Sequence, residues 1–163
     1  MQTAFFIDGY NVFYGLLAGT PYKWLDLPSL LHAIAHENHP HSQVAEIHYF
    51  TSPVQPALAT RGIQSAARQC WGAPDSAPIE QIVLVSGDTD MTPALEAIRE
   101  DFPHLRIGII LPHRKGIERA PPGSLRNNAD WMRRYVAPEE LEAHQLPGRV
   151  HTRKKTADKP DYW

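Results

Sequence analysis

Three aspartates directly follow hydrophobic segments of the sequence and could together bind a metal ion. Asp8 ends the segment "FFID", and Asp88 and Asp90 follow "IVLVSG". Gly9 and Gly87 lie beside them, and glycine allows tight bends and close approach of the backbone to a ligand. Carboxylates that converge raise one another's pKa values unless a cation neutralises them. A hard divalent ion such as Mg²⁺ or Mn²⁺ does so with oxygen ligands, so the pattern predicts a metal site.

Two more polar residues could join this site, and a simpler interpretation competes with it. Asn11 lies one short turn after the first aspartate, and Asp130 falls in "SLRNNADW", which we interpret as a late helix able to direct its acid to the same place. An aspartate after a strand often only caps the next helix, and Asp88 or Asp90 could do so before Pro93. Acids in glycine-containing turns at two separate strand ends favour the metal site over two caps.

The surrounding sequence predicts the elements that must position these acids. Four short, nearly continuous apolar runs predict strands that are covered on both faces, at residues 3–7, 45–50, 81–85 and 106–111. Helical patterns cover residues 27–36, 57–71, 93–101, 124–132 and 138–144, the first with Asp26 as N-cap and Pro28 in its first turn, the fourth capped by Ser124. The alternation predicts an α/β fold, a three-layer, doubly wound, mostly parallel sheet. Ligands of such sheets bind beyond the carboxyl ends of the strands, where the aspartates fall.

Length and composition predict one domain with a short tail. A chain of 163 residues suits a single hydrophobic core. We place that domain at residues 1–146 and interpret residues 147–163, which are polar and basic, as a flexible C-terminal tail. The net charge of −2 gives no global attraction for nucleic acid, so any such attraction must come from local patches.

Cysteine and histidine usage bears on compartment and on zinc. A lone Cys70 excludes an internal disulfide and fits a reducing compartment. The first residues lack a cationic region and carry Asp8 within their apolar run, so we expect a cytoplasmic protein without a membrane partner. His32 and His36 have the i, i+4 spacing of metal-binding helices, but the glutamate of an "HExxH" motif is absent, so a surface helix explains them better.

Three segments resemble the NYN domain, a branch of the PIN-like nuclease superfamily. They read "FFIDGYNVFYGL", "IVLVSGDTDMTPALEAIRE" and "SLRNNADWMRRY". In that family the first strand ends in "(F/I)IDGxN", a later strand ends in "VLVSxDSDxxPxLxxL", and an "S(L)xxxAD" helix closes the domain. The resemblance extends over residues 3 to 136, with weaker stretches between the motifs.

This resemblance implies a PIN-like fold and metal-dependent cleavage of RNA. By position, it implies that Asp8, Asp88 and Asp90 are catalytic and bind Mg²⁺ or Mn²⁺, and that Asp130 is a candidate outer metal ligand. Asn11 and Ser86 would be supporting polar groups. The chemistry implied is in-line attack of a metal-activated water on a phosphodiester.

One departure from the family concerns its usual mid-domain acid. Relatives carry it in a "KxxDV" segment, whereas the corresponding stretch here, "ATRGIQSAARQCW", has neither Asp nor Glu. The chain therefore resembles a shortened member. We expect Asp75 and Glu80 at the amino ends of the strands, where they cannot replace the missing acid. Arg61 would weaken metal binding there but could hold a phosphate.

Basic and aromatic residues indicate how RNA could be held. The loop "PHRKGIERAPPGS" should open beside the acids, and phosphate contacts supply affinity without sequence preference. Taken alone, such a loop is more simply explained as a solvent-exposed loop that binds no RNA. Tyr10, Tyr14 and Trp24 could stack bases, although aromatics at helical spacing are more often core. The residues that we predict to bind RNA are Arg61, Arg114, Lys115 and Arg126.

Three functional hypotheses follow. The first is a metal-dependent endoribonuclease acting on single-stranded RNA. The second is a catalytically impaired PIN-like module that binds RNA or a partner protein, including a second copy of the chain. The third, a regulator that uses its acids for phosphoryl chemistry, requires a lysine at a strand end, and none is found there.

Overall fold

The computed structural model describes residues 1–50, 78–117, 119–151 and 155–162. Within them, five strands form one sheet in the order β2-β1-β3-β4-β5, and every neighbouring pair is parallel. The strands are β1 (Gln2–Asp8), β2 (Gln43–Phe50), β3 (Gln81–Val85), β4 (Arg106–Ile110) and β5 (Trp131–Arg133). All five carboxyl ends therefore lie along one edge of the sheet, which we call the carboxyl rim, and the amino ends lie along the opposite edge.

Helical segments alternate with these strands. They are α1 (Gly9–Val12), a π-helical turn (Phe13–Leu17), α2 (Leu27–Asn38), a 3₁₀ turn (Thr89–Met91), α3 (Thr92–Asp101), α4 (Gly123–Asn128) and α5 (Pro138–Ala143). Asp26 caps α2 as predicted, since its side chain accepts a hydrogen bond from the Ser29 N–H at 3.1 Å. The expected helix at 57–71 lies outside the described residues.

Helices cover both faces of the sheet, because successive side chains of a strand point to opposite faces. Phe6 of β1 is buried with Leu95 and Ile98 of α3 on one face. Phe5 of β1 is buried with Leu31 of α2 on the other face. The predicted three-layer α/β fold is confirmed.

The segment "SLRNNADWMRRY" differs from the prediction of one helix over 124–132. Helix α4 ends at Asn128, and β5 begins at Trp131 and pairs with β4. The N-cap of α4 is Pro122, and no side chain caps it, so the predicted cap by Ser124 is wrong. The helix stops there because residues 131–133 pair with β4 as the last strand. In that strand the Trp131 indole N–H donates to the Gln81 side chain at 2.9 Å.

The segment predicted as a tail contains a short antiparallel hairpin. Its strands are β6 (Arg149–His151) and β7 (Thr156–Asp158). The Arg149 guanidinium and the Asp158 carboxylate form an exposed ion pair at 2.6 Å across it. The boundary at residue 147 stays a prediction. Across the described ranges, every helix is too short or too polar to cross a membrane.

Candidate functional site at the carboxyl rim

The strand order reverses between β1 and β3, whose carboxyl ends lie side by side at the rim. The chain adds β2 on one side of β1 and then returns to add β3 on its other side. Connections that leave neighbouring strands in opposite directions open a gap at their carboxyl ends, and open α/β sheets bind ligands there. Asp8 ends β1 and Ser86 directly follows β3. The topology therefore brings two of the predicted segments together at the rim.

Asp8 is held at the rim by its own turn. Its Oδ1 accepts a hydrogen bond from the Asn11 N–H at 3.0 Å, which caps α1. Its Oδ2 accepts one from the Asn11 side-chain amide at 2.5 Å. The other end of that amide, Oδ1 of Asn11, accepts from the Gly87 N–H at 3.4 Å. Asn11 therefore joins the end of β1 to the turn after β3.

Ser86 makes a second connection between the two strand ends. It is fully buried, and its hydroxyl donates to Oδ2 of Asp8 at 3.2 Å. The Ser86 hydroxyl oxygen also accepts a hydrogen bond from the Asp88 N–H at 3.1 Å. An ionised carboxylate can only accept, so the single Ser86 proton points at Asp8. We call Asp8, Asn11, Ser86 and Asp88 the acid cluster.

Asp88 and Asp90 take different positions after β3. The Asp88 carboxylate accepts a hydrogen bond from the Asp90 N–H at 3.0 Å and so caps the 3₁₀ turn. The capping interpretation is thus correct for Asp88, and it uses one carboxylate oxygen. Asp90 lies within this turn and is exposed.

The acid cluster suits Mg²⁺ or Mn²⁺ in ligand type and is incomplete in ligand number. The described ranges contain no group of three or more His, Cys, Asp or Glu that could hold a metal ion, so Asp8, Asp88 and Asp90 do not converge as a trio. Mg²⁺ keeps several waters and commonly binds through one or two carboxylates plus substrate phosphates. Asp8 and Asp88 are half-buried carboxylates at adjacent strand ends, and they match a site that needs only one or two carboxylate ligands.

Asp130 does not lie at the carboxyl rim, which corrects its predicted placement. Its carboxylate accepts hydrogen bonds from the Ile107 N–H at 2.7 Å and from Arg99 at 2.6 Å, at the amino end of β4. Burial alone would raise the pKa of Asp130, but these two bonds, with the charges of Arg99 and Arg106, lower it below its ordinary value. Asp130 is ion-paired on the opposite edge of the sheet because the chain there turns into β5.

The other acids considered as replacements do not reach the rim either. Glu80 precedes β3 at its amino end, where its carboxylate accepts from the Gln2 N–H at 2.8 Å. This agrees with its predicted position. Asp75 and Arg61 lie outside the described residues.

Two residues near the acid cluster were not found from the sequence. The Tyr49 phenol packs on Gly9, where an added β-carbon would lie 2.7 Å from its hydroxyl oxygen. Burial, and secondarily the negative charge of Asp8, raises the pKa of Tyr49, so it stays a neutral donor. His113 lies beside Gly87, with Nε2 4.0 Å from an added β-carbon.

The orientation of His113 follows from its other nitrogen. Nδ1 accepts a hydrogen bond from the Arg119 N–H at 3.4 Å, which leaves the proton of a neutral ring on Nε2, towards the rim. The signal in the sequence was weak, since His113 is one of nine histidines and precedes the basic residues of a loop.

The predicted RNA-binding cations are spread over the loop after β4 and over α4. Arg114 forms a bridge to Val136, and its Nε is buried without a hydrogen-bond partner in the described part of the chain. The Lys115 ammonium lies 6.0 Å from the centre of the Tyr135 ring. Arg126 is exposed in the last turn of α4. The loop that carries Arg114 and Lys115 follows the end of β4 and so begins at the carboxyl rim.

The three predicted base-stacking residues separate into two kinds. Tyr10 and Tyr14 are exposed on α1 and the π-helical turn. Trp24 is half-buried, and its indole N–H donates to the Pro147 carbonyl at 2.8 Å. Trp24 is thus used to attach residue 147 to the segment before α2.

No family model matches this chain. The chain is 29% identical over 238 residues to the 6-hydroxy-3-succinoylpyridine 3-monooxygenase HspA of Pseudomonas putida, an alignment covering 100% of this chain and 75% of that protein. Since this chain has 163 residues, the relative carries residues without a counterpart here. A crystal structure of a protein of unknown function from Vibrio parahaemolyticus matches with a TM-score of 0.40 and 15% identity, over 89% of this chain and 96% of that one.

Proposed function

We propose that this chain is a metal-dependent endoribonuclease of the NYN/PIN-like type, with its active site at the acid cluster. The observation that carries the proposal is the hydrogen-bonded junction of β1 and β3, in which Asn11 and Ser86 both hold Asp8. A carboxylate restrained in this way, at the strand-order switch, is positioned for a ligand. Asp8 and Asp88 would bind Mg²⁺ or Mn²⁺, which supplies a more acidic water and charge stabilisation at the phosphate.

The residues of the chain divide the remaining work. Asn11 and Ser86 restrain the orientation of the Asp8 carboxylate. The Nε2 proton of His113 and the charges of Arg114 and Lys115 would hold phosphate oxygens, because charge-assisted hydrogen bonds are the stronger ones. These contacts give affinity for the RNA backbone and no preference for sequence.

The test compares cleavage of a labelled single-stranded RNA by three proteins, each with and without Mn²⁺. The wild type should cleave only with the ion, and Asp8→Asn should reduce cleavage to background, because an amide is a poor ligand for a hard cation. Asp130→Asn is the matched control, since Asp130 lies on the other edge of the sheet, and it should retain the wild-type rate. Cleavage without a metal ion, or equal activity of Asp8→Asn, would contradict the proposal.

A binding module without catalysis is the second candidate, because the acids also serve as helix caps. Asp8 and Asp88 each cap a helical turn, and the described acids do not form a trio around a metal ion. Such a module would hold RNA or a protein partner, including a second copy. Retention of RNA by the wild type without any cleavage in Mn²⁺ would favour it over the nuclease.

The Pseudomonas putida relative supports a third candidate, oxygenation of a small heteroaromatic ring. Its support is an alignment that extends over the whole chain at 29% identity. The assay is consumption of 6-hydroxy-3-succinoylpyridine with oxygen and a reduced nicotinamide or flavin donor. Turnover in that assay, with RNA left intact, would replace the nuclease proposal.

A further inference from the structure

Tyr10 and Tyr14 form a pair of exposed rings beside the acid cluster. They are four residues apart, which puts them on one side of the helical segment, and their ring centres lie 4.5 Å apart at an angle of 48°. Tyr10 is nevertheless 57% exposed and Tyr14 59% exposed. Phe13, 42% exposed, packs edge-on against Tyr14. Aromatic side chains are usually buried, so an exposed cluster of three indicates a binding surface.

The tyrosine pair is fixed to the active-site turn by the backbone. Tyr10 lies between Gly9 and Asn11, two residues after Asp8, and α1 is capped by that aspartate. Whatever holds Asp8 at the rim therefore also holds the first ring beside it. A ligand that contacts the acid cluster has the tyrosine pair next to it.

The loop after β4, which carries two cations, packs against the same helical segment as the tyrosine pair. At Gly15 an added β-carbon would overlap the Pro112 carbonyl oxygen, so the π-helical turn packs directly on the start of the loop that carries Arg114 and Lys115. The rings, the carboxylates and the cations thus belong to adjoining segments. A ligand that suits all three has flat rings, phosphate charge and room for a metal ion.

We infer that the tyrosine pair stacks unpaired bases of a single-stranded RNA whose phosphate lies at the acid cluster. This inference rests on the proposed ribonuclease and names its substrate as single-stranded. Aromatic rings stack on every base, so the contact is tolerant of sequence. In a duplex each base already stacks on its neighbours, so duplex RNA offers the rings no comparable face.

A second copy of the chain fits this surface less well. A two-fold contact between tyrosine pairs would bring the two copies of Asp8 and Asp88 towards each other, and like charges at an interface are unfavourable. An RNA strand instead brings phosphates that the adjoining cations and a divalent ion can neutralise.

The experiment measures binding of a fluorescent single-stranded RNA by anisotropy in EDTA, which prevents cleavage. Tyr10→Ala and Tyr14→Ala should each weaken binding by about tenfold, the scale of losing one base–ring stack. Tyr10→Phe and Tyr14→Phe retain the ring and should stay within about twofold of the wild type. An abasic strand of the same length tests stacking directly, because it keeps the phosphates, and the alanine variants should bind it as the wild type does.

Each outcome decides the inference. Equal binding of RNA by wild type and alanine variants overturns it, as does equal weakening on the abasic strand, preference of the wild type for duplex RNA, or self-association without RNA binding. Melting curves of each variant show that a loss is not unfolding. The nuclease proposal fails separately: if RNA binding depends on Tyr10 and Tyr14 but Mn²⁺ gives no cleavage, the stacking surface stands and the catalytic proposal falls.

Discussion

Asp8 shows why one aspartate can fit both interpretations of the sequence, as a helix cap and as a metal ligand. A carboxylate has two oxygens with about four acceptor positions, so a cap and two side-chain hydrogen bonds do not use all of them. Its bonds to Asn11 and Ser86 would also orient it towards a cation, as supporting groups do in metal sites. Capping and metal binding are therefore compatible roles for Asp8.

Contacts within one turn, and the meeting of Asp8 with Ser86 at the carboxyl ends of parallel strands, were predictable, whereas contacts that depend on the exact strand pairing or on later loops were not. Asp8 and Asn11 are three residues apart, so their contact follows from one turn. Tyr49 and His113 reach the acid cluster only through strand pairing and a later loop. Asp130 was misplaced for the same reason, since its edge of the sheet is set by where β5 begins.

At the residue scale, Asp130→Ala should destabilise the fold by about 1–3 kcal/mol at pH 7. The substitution removes the acceptor of the buried Ile107 N–H and the partner of Arg99. Urea unfolding of wild type and variant measures the difference in free energy.

The same difference should depend on pH. The pKa of Asp130 is lowered from the ordinary 3.8 in the folded chain, so its charge contributes stability fully above that value and loses it as pH falls through the folded pKa. The difference in unfolding free energy between wild type and variant should therefore shrink as the pH falls below 3.8 and through the lowered pKa of Asp130. A gap that widens on acidification would contradict this assignment.

At the scale of elements, periodicity predicted the central strands better than the last one. The strand predicted at 81–85 agrees with β3 in both bounds, and those at 3–7 and 45–50 are each extended by one or two residues. Buried strands of this kind are marked by continuous apolar runs. Strand β5 has only three residues and follows a helical pattern, so its own residues carry too little signal; its partner β4 defines it.

Packing of the π-helical turn on the loop after β4 gives a prediction for Gly15→Ala. The new β-carbon would overlap the Pro112 carbonyl, and overpacking of this kind costs about 1–3 kcal/mol. Gly123→Ala is the matched control, since nothing lies within 4 Å of its added β-carbon. Thermal unfolding should show a lower midpoint for Gly15→Ala only; equal midpoints would mean that the turn does not pack on the loop.

At the scale of the whole molecule, the charge distribution limits how the proposed RNA ligand would bind. With a net charge of −2, attraction must come from local cations such as Arg114, Lys115 and Arg126. With three phosphate contacts to single-stranded RNA, a plot of the logarithm of the binding constant against the logarithm of the salt concentration should have a slope of about −2.

The salt dependence identifies the cations that take part. Lys115→Gln should make this slope shallower by about 0.7, one phosphate contact to a single strand. Arg106→Gln, at the amino edge, is the control and should leave it unchanged. Anisotropy titrations from 50 to 200 mM NaCl would measure the slopes of both variants. Over this range the wild type should lose roughly 20-fold in affinity. An unchanged slope for Lys115→Gln would exclude that lysine from the contact.

The pairing of β1 with β3 has a consequence for when the acid cluster forms during folding. Asp8 and Ser86 are 78 residues apart, and closing so long a loop carries an entropic cost that local contacts do not share. Contacts of high sequence separation slow the folding of small domains. We therefore expect the acid cluster to form late, after the first helices, because a nascent chain that has not yet made β3 lacks the Ser86 partner of Asp8.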